Sequence, residues 1–188
     1  MFATNIQCQE YRQKDRLLTT ENPQQRYVYM GYEGSDAPSE RELIVHLLDN
    51  YSITEGFVAQ YLPKWIDVSP NETVKGGLRT VQRREAAHAG LMKARLRELG
   101  ESQTATIPEA RKHQEIPFFS SKEHSDEEKL KVLSDLFGDG EAFLSPVTRV
   151  INQISEDLQT KEILITILDD ERESVNWIQG MYQTIRTT

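Results

Sequence analysis

A chain of 188 residues suffices for one sizeable domain with an irregular extension, and its 22 Lys and Arg against 30 Asp and Glu leave a formal charge of -8, which argues against a phosphate-tracking nucleic-acid surface. A single cysteine, Cys8, excludes an intramolecular disulfide and a cysteine-rich zinc site, and it suits a reducing cytoplasm. The N-terminus turns polar too soon for a secretory signal, and no apolar run approaches the ~18–20 residues that span a bilayer. The protein is therefore expected to be soluble and cytoplasmic, with no nucleic-acid partner and no membrane span.

Residues 1–38 are polar and broken by Gly31, Gly34 and Pro38, and they read as an N-terminal arm with tyrosines at 27, 29 and 32. Ser39-Glu-Arg-Glu42 then has capping-box form and opens a long helix. Its apolar seam runs Ile44, Leu48, Tyr51, Glu55, Val58, Leu62, Trp65 in steps of three and four, and Pro63 should bend or end it. Ser69-Pro-Asn-Glu72 supplies a second box, with proline at the first helical position. The second seam passes through Leu78, Glu85, His88, Met92 and Leu96 to a stop at Gly100. Residues 101–124 lack periodicity and read as a crossover along which Phe118 and Phe119 pack. Ser125-Asp-Glu-Glu128 opens a third helix, whose seam carries Glu141 and is interrupted by Gly138, Gly140 and Pro146, so a kink or break is expected there. The last helix begins near Asp157, with a seam through Leu164, Ile167, Glu171, Ser174 and Ile178. No strand is expected. The fold class is all-α, with four long helices over residues 39–188.

Four glutamates interrupt these seams. Glu85 follows Glu55 by 30 residues, and Glu171 follows Glu141 by 30. Each lies a similar distance from the turn that joins its pair, so at ~1.5 Å of rise per residue all four reach a similar height. Buried carboxylates gathered at one point repel unless a cation holds them. His88 stands three residues after Glu85, on the same helix face, and offers a neutral nitrogen ligand. A divalent metal pair is the economical arrangement.

A glutamate in one helix, Glu-x-x-His in the next, a long crossover and a second such pair resemble the ferritin-like di-iron carboxylate superfamily. The resemblance covers residues 39–187 and implies a four-helix bundle of two antiparallel hairpins. Glu55, Glu85 and His88 match its first half, and Glu141 and Glu171 match the carboxylates of its second. The chain departs from the pattern at Ser174, which stands where the second histidine would. A hydroxyl is a far weaker ligand than imidazole, so the second metal position should be weak or absent.

The resemblance implies one or two iron ions, or manganese, and dioxygen or peroxide chemistry on a small molecule, as in a non-haem iron oxidase or oxygenase or a peroxide and metal stress protein. Ser174 and Tyr51 are candidate neighbours or weak ligands of the metals. A homo-oligomer is compatible with such a bundle. The competing reading is a metal-free descendant that kept the helices and works as an interaction or assembly module.

Overall fold

The computed structural model describes residues 38–187, and among them are six α-helices and no strand. The described residues are all-α. The N-terminal arm read from the sequence lies outside the described residues, apart from its last position. Among the described residues no helix is long and apolar enough to cross a membrane.

Helix α1 spans Glu40–Val68 and opens on the expected capping box, with Ser39 and Glu42 satisfying each other's backbone N–H. Pro63 does not end it; the helix continues to Val68. Trp65, fully buried two residues later, anchors the last turn by packing and outweighs the one hydrogen bond that proline removes. Helix α2 spans Glu72–Glu98. Its N-cap is Asn71, whose side chain accepts from the Thr73 and Val74 amides, and Ser69 is not the cap the sequence suggested. Ser69 instead closes α1 and donates its hydroxyl to Asp126 (2.6 Å).

The segment expected to be irregular holds a helix, α3, over Glu109–Ser120. Arg111–Glu115 and Glu109–Lys112 pairs support it on the exposed side, a charge pattern that apolar periodicity alone overlooks. Phe119 docks it, stacked on Tyr61 at 4.6 Å between ring centroids and tilted against Trp65 at 5.3 Å. The stretch before α3 is fastened to α1 by buried Asp49, which accepts from the Thr104 and Ala105 amides.

The third long helix is broken. Helix α4 (Asp126–Phe137) ends at Gly138, in a positive-φ conformation that favours glycine, and α5 (Gly140–Gln153) restarts on an Asp139 cap. Helix α6 spans Leu158–Arg186. The principal pairings are α1 with α2, α4 and α5 with α6, α2 with α6, and α3 with α1. At one end, Glu40 accepts from the Ser155, Glu156 and Asp157 amides, and Arg41 donates to the Leu99 carbonyl.

Two apolar cores result. One joins Ile44, Leu48, Met92, Leu96, Leu144, Ile151, Leu164 and Ile167. The other joins Phe57, Leu62, Trp65, Leu78, Val81, Phe119, Leu130 and Ile178. On α1, α2 and α6 alike, the residues between the two cores are polar and buried: Ser52 and Glu55, Glu85 and His88, Glu171 and Ser174.

A buried carboxylate and histidine cluster

This polar waist is the candidate site. Glu55 comes from the middle of α1, Glu85 and His88 from the middle of α2, and Glu171 from α6. One ligand atom from each of Glu55, His88 and Glu171 can be chosen so that all lie within 4.8 Å of one another. Nδ1 of His88 stands 3.2 Å from Glu171 Oε1 and 3.4 Å from Glu55 Oε2. Glu85 joins by a hydrogen bond with Glu55.

Burial and mutual repulsion govern the charges here. Desolvation first, and then the charge of Glu171, raise the Glu55 pKa well above its usual value. Glu85 is raised in the same way, by desolvation and then by Glu55. Burial works to lower the pKa of His88, but the neighbouring carboxylates of Glu171 and Asp170 outweigh it and raise the value. Without an ion, protons therefore hold the cluster together.

The residues fit a metal ion. Donors about 2.1 Å from one ion stand ~3.0–3.4 Å apart in octahedral or tetrahedral arrangement, and the two separations at His88 Nδ1 fall within or at the edge of that span. Glu171 Oε1 is buried without a hydrogen-bond partner; its approach to His88 Nδ1 is close but not aligned for one. An orphaned buried carboxylate oxygen is costly in a closed protein, and a cation placed against it removes that cost. Carboxylate and imidazole donors without thiolate suit iron, manganese or zinc.

Glu141 does not join the others. It lies in the first turn of α5 with its side chain exposed, and it accepts from Arg172 Nε at 2.9 Å. The break at Gly138 resets the helical phase after the α4 seam, which turns Glu141 outward. Ser174 is buried and accepts a long hydrogen bond from Arg84 Nη1, 3.4 Å. Tyr51 is half-buried against the first apolar core.

Two residues outside the sequence-derived set belong to the cluster's surroundings. Asp170 Oδ2 lies 3.1 Å from His88 Nε2, holding the ring from its far side so that Nδ1 faces the carboxylates. Arg84 lies 3.5 Å from Asp170 Oδ1 through its Nε. Both fall one residue off a seam and stand partly exposed at the rim of the cluster.

No protein family matches the chain, and neither does any curated protein or solved structure.

Proposed function

We propose that this chain is a ferritin-like metalloprotein holding a single divalent transition-metal ion among Glu55, His88 and Glu171, with Glu85 as a further carboxylate. The supporting arrangement is four helical columns: α1, α2, the broken α4–α5 column and α6, with α3 on the crossover. Contacts at the ends and middles favour opposite directions for α1 and α2, and the same direction for α2 and α4–α5. The observation that carries the metal reading is Glu171 Oε1, buried, unpartnered and aimed at the one histidine nitrogen that faces the waist.

Iron bound there would supply electron-transfer chemistry with dioxygen or peroxide, as the ferritin-like resemblance implies. The chain's own residues do the remaining work. Asp170 fixes the His88 ring by accepting a hydrogen bond from Nε2–H, leaving Nδ1 free to ligate. Glu55 and Glu85 share a hydrogen bond and can release a proton as a cation enters. The apolar cores on either side keep water from the ligands and strengthen each electrostatic contact. Glu141, paired at the surface, has no part in this reading.

Loading with Fe(II) or Mn(II) under anaerobic conditions, followed by desalting and elemental analysis, tests the proposal. One equivalent is expected in the wild type and none in His88→Ala or Glu171→Ala. Absence of bound metal in folded wild-type protein under every loading condition sinks it.

One observation favours a metal-free interaction module instead. A protonated His88 lies within ion-pairing distance of Glu55, Glu171 and Asp170, so the network can nearly close by itself. In that case the alanine variants would lose stability with no metal to lose.

A further inference from the structure

Arg84 stands where the cluster departs most from a two-ion arrangement. Its Nη1 is 3.4 Å from Ser174 Oγ and 3.5 Å from the Asp170 carbonyl, while Nε is 3.5 Å from the Asp170 carboxylate. Its side chain is only 28% exposed. Ser174 is 3% exposed, so the guanidinium closes over a buried hydroxyl.

We propose that the Arg84 guanidinium is a built-in cation standing in for a second metal ion, so that the site holds one ion and an imidazole introduced at position 174 does not by itself admit another. This rests on the single-ion reading above. The physical basis is charge and space. Glu55, Glu85, Glu171 and Asp170 bring four carboxyl groups to one region, more than one divalent ion balances. A guanidinium is permanently charged and weakly hydrated, and so suits a half-buried position beside carboxylates. A second divalent ion within ligand reach of position 174 would stand within a few ångströms of that fixed positive charge, where solvent screens it poorly. The guanidinium also donates to the Ser174 oxygen, the side chain that a second ion at position 174 would need.

Counting bound Mn(II) by electron paramagnetic resonance separates the possibilities. The wild type should bind one equivalent and Ser174→His still one. The double variant Arg84→Gln with Ser174→His should bind two, with Glu85, Glu171 and the new imidazole as donors. Arg84→Lys with Ser174→His should return to one, because lysine keeps the charge. Two equivalents in Ser174→His alone overturn the assignment of Arg84, and so does one equivalent in a folded Gln/His double variant. A wild type that binds no Mn(II) overturns the single-ion reading itself, an outcome distinct from either.

Discussion

Asp170 grips His88 from behind. Its Oδ2 lies 3.1 Å from Nε2, while Nδ1 on the other side of the ring faces Glu55 and Glu171. The ring is thus held in orientation by one half-exposed carboxylate on a different helix. Removing such a partner typically costs 10–100-fold in metal affinity. Asp170→Ala is expected to weaken Mn(II) binding by about that factor, while His88→Ala abolishes it. Competition titration against a chelator of known affinity measures both; an unchanged Kd in Asp170→Ala would remove the residue from the site.

Stability of metal-free protein should fall as pH rises. The folded pKa values of Glu55 and Glu85 are raised above their ordinary 4.5, and that of His88 above 6.5. In each case the folded state holds the proton more tightly than the unfolded chain, so stability present below the unfolded value is lost as pH climbs through the folded one. Glu40, lowered to about 2 by the amides it caps, acts in the opposite sense but only below its ordinary 4.5, outside the range of interest. Thermal melts in chelator should give a higher Tm at pH 5.5 than at pH 8. Metal should reverse the trend, because it binds the deprotonated ligands. A flat profile in chelator would mean the protons are not held as described.

Glu141→Ala separates the surface carboxylate from the interior ones. Its partner Arg172 also pairs with Asp169 at 2.7 Å, and exposed ion pairs contribute ~0–1 kcal/mol. Metal stoichiometry is expected to be unchanged and the urea midpoint to move little. Loss of an equivalent would return Glu141 to the site.

Gly77 on α2 makes room for Trp177 of α6. A Cβ placed there would lie 1.8 Å from Trp177 Cζ2, so the indole rests directly on the helix backbone. Gly77→Ala should destabilise the fold by ~1–3 kcal/mol despite its better helix propensity, with a shift in tryptophan emission. Trp177→Leu should recover much of the loss by opening space. A neutral or stabilising Gly77→Ala would contradict this packing.

Asp126 fastens the end of the molecule opposite Glu40. Its two oxygens accept from Trp65 Nε1 (2.7 Å) and Ser69 Oγ (2.6 Å), and Lys129, buried beside it, donates to the Ser121 carbonyl at 2.7 Å. Asp126→Ala strands buried donors at a cost of about 2–4 kcal/mol in urea unfolding. Its metal stoichiometry should match the wild type, which distinguishes a structural cluster from the candidate metal site.

The sequence made the all-α class and the interior position of Glu55, Glu85, His88 and Glu171 readable, because each stands where a three-and-four apolar seam should continue. Glu141 was misplaced for a reason periodicity does not contain: the break at Gly138 shifts the phase of everything after it. Asp170 and Arg84 were unreadable for the converse reason. One position off a seam reads as solvent-facing until the contacts between α2 and α6 are known. Helix α3 escaped because its support is charge pairing and a single aromatic anchor, without an amphipathic stripe.

The waist between the two apolar cores has a consequence for the order of assembly. Each core draws on α1, α2 and α6, and the cluster takes its carboxylates from the same three helices. The α1–α2 hairpin can form early from contacts near in sequence, presenting Glu55, Glu85 and His88 as an open half. Glu171 reaches them only after α6, last of the six described helices, has docked across the whole intervening length. Long-range pairing of that kind is slow relative to hairpin formation. In a chain that folds in that order, three of the polar groups would be assembled and solvated before α6 seals them in, and an ion of the kind proposed above would meet least resistance in that interval.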